Sequence, residues 1–169
     1  NMSLEEQTMA DIFSENGYVT GTFGKWHNGA HYPYHPNGRG FDEFYGFCSG
    51  HWTNYFNTEL ERNGKKVRSS GYIVDDITDK ALDIMKKNRK AQQPFLCYLS
   101  INTPHTPLQV PDKYFDKYEE MGLDDFNAAI YGMCDNIDYN VGRVLKKLDE
   151  LGIRENTIVM YLSDNGPVN

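Results

Sequence analysis

Two apolar runs, Phe95-Leu-Cys-Tyr-Leu-Ser-Ile101 and Thr157-Ile-Val-Met-Tyr-Leu-Ser163, constrain the fold of this chain more than any other feature. Neither alternates apolar with polar, which suits strands covered on both faces of a sheet. Segments of helical period stand beside them. Ile73, Ile77, Ala81, Ile84 and Met85 share one face of a helix predicted over residues 72–90. Ile130, Met133, Ile137, Val141, Val144, Leu148 and Leu151 mark a longer helix over 124–151. Residues 18–24, rich in aromatic and β-branched side chains, read as a further strand. A helix predicted over 4–15 precedes it, opened by a Ser3–Glu6 capping box and stopped at Gly17. Strands alternating with helices require crossovers, so the expected fold is α/β: a layered, mostly parallel sheet flanked by helices.

Composition narrows the class. Apolar residues make up 39% of the 169 and aromatics 14%, too aromatic for a disordered tail. No apolar run approaches the ~20 residues of a spanning helix, so no membrane partner is expected. The net charge of −7 argues against a nucleic-acid partner. Cys48, Cys97 and Cys134 are too few and too scattered for a disulfide framework or a zinc site. No signal peptide is visible at the N-terminus. Residues 25–66 are dense in Gly, Pro, Asn, His and aromatics, with no clear period. So long an irregular stretch points to function.

Ligands of open α/β sheets bind beyond the carboxyl ends of the strands, and the unusual polar residues of this chain sit there. Lys25 and His27 follow strand 18–24, His105 follows strand 95–101, and Asp164 and Asn165 follow strand 157–163. Three parallel strands would deliver all of them to one edge. Lysine supplies a fixed positive charge, and the histidines exchange protons near neutral pH. Flanking Pro104 and Pro107 restrain His105. Asp164 and Asn165 offer hard oxygen donors suited to Ca²⁺ or Mg²⁺. A cation beside a lysine and histidines suits a sulfate or phosphate oxyanion.

The runs Gly24-Lys25-Trp26-His27, Gly40-Phe41-Asp42-Glu43-Phe44-Tyr45-Gly46, Thr103-Pro104-His105-Thr106-Pro107 and Ser163-Asp164-Asn165-Gly166 resemble, in order and spacing, those of the type I sulfatases. These enzymes belong to the alkaline-phosphatase-like superfamily. The resemblance covers nearly the whole chain. It implies that residues 1–169 are the central part of a sulfatase catalytic domain, an incomplete domain lacking the nucleophile segment and the C-terminal subdomain. By the same resemblance Lys25 contacts the sulfate and the nucleophile, His27 hydrogen-bonds the nucleophile, and His105 protonates the leaving alcohol. Asp164 and Asn165 are then two of the metal ligands, for Ca²⁺ with Mg²⁺ also open. The family nucleophile is a formylglycine hydrate made within Cys/Ser-x-Pro-x-Arg, and none of the three cysteines heads that pattern. The fragment alone is therefore expected to be inactive.

The implied reaction is metal-assisted hydrolysis of a sulfate ester on a small molecule or glycan. A phosphonate monoester or phosphodiester hydrolase of the same superfamily, and a non-catalytic pseudoenzyme domain, remain open. The resemblance also implies a periplasmic, lysosomal or secreted location. His31, His35, Arg39, His51 and Trp52 lie where the family varies with substrate, so they are candidate substrate contacts; loop packing is the competing reading. His27, His31 and His35 recur every four residues, but Pro33 and Pro36 forbid the helix that would turn them into a zinc face.

Overall fold

A computed structural model describes residues 1–166. Its elements are α1 (Met9–Glu15), β1 (Val19–Lys25), β2 (Glu43–Phe47), β3 (Glu59–Arg62), β4 (Lys65–Arg68), α2 (Ile73–Ala91), β5 (Phe95–Ser100), α3 (Asp112–Glu119) and α4 (Asp125–Glu150). Short 3₁₀ turns occupy Pro36–Gly38 and Arg154–Asn156. The five strands form one sheet in the order β4-β3-β2-β1-β5. β1 runs parallel to both its neighbours, β2 and β5, and the β3–β4 hairpin extends the sheet antiparallel to β2. The sheet is therefore α/β and mixed, with the parallel strands carrying the crossovers. No helix among the described residues is long and apolar enough to cross a membrane.

One face of the sheet presents Phe23, Tyr45, Phe47 and Leu60 to Ile73, Ile77, Ala81 and Ile84 of α2 and to Met133 of α4. The other face buries Phe44 with Trp26, Phe41 and Ala10 of α1. Helix α2 carries Asp75 and Asp76 in its first turn and Arg89 and Lys90 in its last, matching the helix dipole. The acidic residues of its first turn point inward rather than to solvent alone. The fully buried Asn136 and Asn140 of α4 donate to Asp75 at 2.9 and 2.7 Å, and the buried Asp76 accepts from the Tyr45 hydroxyl.

Three sequence expectations change. Helix α1 starts at Met9, because Thr8 and Asp11 form the capping box: Thr8 Oγ1 accepts from the Asp11 amide at 3.0 Å, and Asp11 Oδ2 accepts from the Thr8 amide at 2.8 Å. Ser3 and Glu6 close only a turn. The irregular stretch contains β2, β3 and β4. Asn63-Gly64, both at positive φ, joins the last two, and that dipeptide is a hairpin signal readable in the sequence.

The largest correction concerns residues 157–163. They pair with no strand among the described residues, and Ile158, Met160, Tyr161 and Leu162 are between 68% and 89% exposed. An extended backbone becomes a strand only when a neighbour takes its amides and carbonyls, and no described neighbour does so here. β5, which was expected to be covered on both faces, lies at the sheet edge and is half-buried along most of its length, with Tyr98 exposed.

Candidate active site

The parallel register decides which loops meet. Gly24 is level with Ser100 across β1–β5, and Lys25 with Phe47 across β1–β2. The chain therefore leaves β1, β2 and β5 at one edge, carrying Lys25–His27, Ser49–His51 and Asn102–His105 with it. Close backbone approach holds this edge together. A Cβ on Gly24, at φ +121°, would stand 2.1 Å from the Ser100 carbonyl oxygen; one on Gly46 would stand 1.8 Å from that of Gly24. Glycine is required at both positions.

Lys25 ends β1 half-buried, and His27 follows it exposed. The His27 ring lies directly over Gly50, where a Cβ would come within 2.2 Å of its Cε1 and Nε2. Next in the chain, His51 is exposed, and its ring centroid is 5.6 Å from that of His105. Three imidazoles from three loops thus stand at the sheet edge where Lys25 ends β1. Such a set can hold a tetrahedral oxyanion and move a proton to or from an attached oxygen.

His105 sits between the peptide bonds Thr103–Pro104 and Thr106–Pro107, both cis. Its Nδ1 is 2.7 Å from the Thr106 carbonyl oxygen. The buried Tyr55 places its hydroxyl 3.0 Å from the carbonyl oxygens of both His105 and Thr106, and its amide donates to Gln109 Oε1 at 2.8 Å. Beneath the loop, the side chains of Asn102 and Thr103 are buried without hydrogen-bond partners. Sequence reasoning passed over Gly50, and it took Tyr55 only as one of the candidate substrate contacts of segment 51–56, not as a residue that holds the His105 loop. Their importance lies in contacts distant in sequence: the His27 ring over Gly50, and the loop carbonyls of His105 and Thr106 at the Tyr55 hydroxyl.

The other candidates stand apart from the imidazole cluster or turn inward. His31 is exposed, in the loop after β1. His35 is 8% exposed, with Nδ1 accepting from the Asn37 amide at 3.2 Å and Nε2 2.5 Å from Glu61 Oε1. Arg39 is 4% exposed and donates to the Glu6 carbonyl at 2.7 Å. Both are packed into the fold, so the loop-packing reading describes their surroundings. Trp52 stacks on Phe47 with centroids 5.0 Å apart, and its Nε1 donates to Thr58 Oγ1 at 3.0 Å.

Metal-binding side chains converge at His35, Cys48 and Glu61, whose donor atoms lie within 4.8 Å of one another. Hydrogen bonds already account for this grouping. His35 Nε2 faces the Glu61 carboxylate, and a metal at Nε2 would need the ring proton on Nδ1, where the Asn37 amide donates. Burial and then the Glu61 carboxylate push the Cys48 thiol up to about 12. Asp164 and Asn165 are exposed and bonded locally: Asp164 Oδ1 accepts from the Asn165 amide at 2.9 Å, and Asn165 Nδ2 donates to the Gly166 carbonyl at 2.7 Å. With residues 157–163 unpaired, the expected delivery of these two by a parallel strand does not occur among the described residues.

The chain matches the Sulfatase family model over residues 2–169. It is 32% identical to the uncharacterized sulfatase YdeN of Escherichia coli K12, aligning over 98% of this chain and 34% of that protein. It is 35% identical to an ulvan-active sulfatase of Formosa agariphila, over 96% of this chain and 35% of the relative. The solved structure of Ps i-CgsB in complex with k-i-k-neocarrahexaose superposes with a TM-score of 0.81 and 33% identity, covering 86% of this chain and 37% of that one. The chain thus spans about a third of the length of the relatives it matches. Its α/β sheet is that of the alkaline-phosphatase-like superfamily. From its family match, its relatives and its fold together, the chain belongs to the sulfatase family.

Proposed function

We propose that the protein carrying this chain hydrolyses sulfate esters of glycans, with residues 1–166 supplying the oxyanion-binding and proton-handling side of the site. The observation behind this reading is the gathering of His27, His51 and His105 at the strand edge where Lys25 ends β1. Its substrate class draws on relatives described by ulvan and by a neocarrahexaose complex.

The roles follow from charge and position. Lys25 offsets negative charge on the sulfate oxygens and on the attacking group, and His27 orients that group through a hydrogen bond. His105 gives a proton to the leaving alcohol oxygen as the S–O bond breaks, which matters most when that alcohol is a poor leaving group. His51, beside His105, contacts the sugar bearing the ester.

The formylglycine implied by the family does not fit this chain, since no cysteine heads its signature. Burial also pushes the thiols of Cys48 and Cys97 up to about 12, which opposes use of either as a nucleophile. The nucleophile is therefore assigned to sequence outside residues 1–169. Asp164 and Asn165 are donors of the right kind for Ca²⁺ or Mg²⁺, but they are two of the ~6–8 oxygens that calcium takes. The chain on its own is accordingly proposed to lack sulfatase activity. A location in the periplasm, the lysosome or outside the cell accompanies this reading.

The test uses the full-length enzyme and sulfated oligosaccharides. Lys25→Ala is expected to lower turnover on the order of 10²-fold or more with little change in thermal stability. Retention of activity by Lys25→Ala would remove the oxyanion role. Higher kcat/KM on phosphonate or phosphodiester substrates would move the enzyme to the sister activity.

A further inference from the structure

The side chain assigned here to proton transfer has its protonation pattern written into its surroundings. His105 Nδ1 has two neighbours, the Thr106 carbonyl oxygen at 2.7 Å and the Thr106 hydroxyl at 3.5 Å; the carbonyl is far closer and can only accept, so Nδ1 carries the proton when the ring is neutral. That leaves Nε2 as the nitrogen that gains and loses a proton. Free imidazole side chains in water favour the opposite form, with the proton on Nε2, so this tautomer has to be imposed.

What imposes it is the position of the carbonyl, and the carbonyl is itself held. The loop containing His105 has few backbone bonds of its own: the His105 amide to the Asn102 carbonyl at 3.2 Å, and the Gln109 amide to the Pro107 carbonyl at 2.9 Å. Leu108, Val110 and the Tyr72 hydroxyl tie its far end to the core, and at His105 and Thr106 the attachment is Tyr55, which is 1% exposed and belongs to the same cluster as Phe47, Tyr72 and Ile73. The Tyr55 hydroxyl has one hydrogen to share between the carbonyl oxygens of His105 and Thr106, each 3.0 Å away. Burial raises the Tyr55 hydroxyl further above an ordinary value at which tyrosine is already a donor at neutral pH. The Tyr55 amide binds the same loop a second time, at Gln109 Oε1.

We propose that Tyr55 is a positioning residue for His105: its hydroxyl fixes the Thr106 carbonyl, which holds the proton on Nδ1 and leaves Nε2 as the proton-exchanging atom. The catalytic consequence rests on the proposed sulfatase function; the tautomer does not.

The experiment separates the two. A two-bond ¹H–¹⁵N correlation spectrum of the uniformly ¹⁵N-labelled chain, recorded at a pH where the histidines are neutral, reports which ring nitrogen bears the proton. His105→Ala assigns the signals. The wild-type chain is expected to show His105 mainly in the Nδ1–H form, and Tyr55→Phe is expected to shift it mainly to Nε2–H. Tyr72→Phe is the control, because it also removes a buried hydroxyl from this loop, donated at 2.8 Å to the Gln109 carbonyl, and should leave the His105 signals unchanged. An Nε2–H form in the wild type, an unaltered tautomer in Tyr55→Phe, or an equal change in Tyr72→Phe would each overturn the proposal. In the full-length enzyme, Tyr55→Phe should then lower kcat about 10-fold on esters of poor leaving groups, a part of the ~10²–10⁴ that a positioned acid supplies, with KM nearly constant. Activated aryl esters should be spared. If the spectra follow expectation and no sulfate ester is turned over by wild-type enzyme, the sulfatase reading fails while the Tyr55 assignment stands.

Discussion

Residues 95–101 and 157–163 have much the same character, a run of aliphatic and aromatic side chains ending near a serine, and they meet different fates. The first pairs along its length with β1, from Val19↔Phe95 to Gly24↔Ser100. The second lies extended and exposed. The difference between them is not propensity, since both are rich in strand formers. It is the presence of a neighbouring backbone edge. The contrast passes directly to the polar residues beyond each run. The loop of His105 is held by the buried Tyr55 hydroxyl, shared between the carbonyls of His105 and Thr106, and His105 stands beside His51, whereas Asp164 and Asn165 bond only to their immediate neighbours.

The contrast is sharpest in thiol chemistry. Cys97 lies in the paired run, and burial pushes its thiol up to about 12 from an ordinary 9.0. At pH 8 its reactive thiolate is therefore about 10³-fold rarer than that of an unperturbed cysteine. Ile158→Cys places a thiol at a position 89% exposed in the unpaired run. Alkylation at pH 8, followed by mass spectrometry of peptides, should label position 158 about 10³-fold faster than Cys97. The Cys97 rate should go on rising towards pH 12, and that of position 158 should level near pH 9. Similar rates at pH 8 would mean that the two runs share an environment.

Packing gives the next largest difference. Leu99 points from β5 into the main core, and Leu162 is 84% exposed. Leu99→Ala should cost about 2 kcal/mol, the low end for a buried leucine because this strand is half-buried. Leu162→Ala should fall within ~0.5 kcal/mol of wild type. Urea denaturation of both variants measures the pair. Equal losses would show residues 157–163 docked in solution.

These differences show what the sequence could reveal. Helical period located α2 and α4, and runs of strand-forming side chains located β1 and β5, because each buries a face against another described element. Sequence reasoning misplaced the start of α1, since Ser3–Glu6 and Thr8–Asp11 both fit a capping pattern and only the second precedes a residue, Ala10, that enters the core. It missed β2 to β4, each four or five residues long, where glycines and charged side chains hide the alternation. Lys25, His27 and His105 were legible as polar residues beyond strand ends, and the parallel register brings those ends to one edge of the sheet. His35 and Arg39 were legible as polar residues in a loop, but their inward burial was not. It depends on Glu61 and the Glu6 carbonyl, 26 and 33 residues away. Tyr55 was illegible for the same reason, its partners lying 50 and 51 residues on.

Glycine substitutions test how tightly the ordered edge is built. Gly50→Ala would bring a methyl group within 2.2 Å of the His27 ring, whereas Gly166 has nothing within 4 Å. His27 is exposed, so its ring swings aside and the fold is kept. In the full-length enzyme Gly50→Ala should lower kcat about 10-fold, as misplacing a catalytic group by about 1 Å costs up to ~10². The melting temperature should stay near wild type. Full activity in Gly50→Ala would separate His27 from the chemistry.

The smallest effect on stability, and the most telling for the unpaired run, is expected from Leu162→Glu in the 169-residue chain. Residues 158–162 are five consecutive apolar side chains, each at least 48% exposed, and an extended backbone with open hydrogen-bonding groups is a template for pairing with another copy. The wild-type chain should therefore self-associate in a concentration-dependent way. A carboxylate at position 162 makes that contact unfavourable, because pairing would desolvate the charge, and it adds to a net charge already at −7. Since Leu162 is 84% exposed, the monomer loses nothing by the change, and its unfolding free energy should stay within ~0.5 kcal/mol of wild type. Sedimentation velocity over a range of concentrations reads the association, and urea denaturation reads the stability. A shift to monomer at constant stability would locate the association in residues 157–163. Association undiminished in Leu162→Glu would place it elsewhere, with the half-buried edge of β5 the next segment to substitute, since it has the same open backbone and one exposed aromatic, Tyr98.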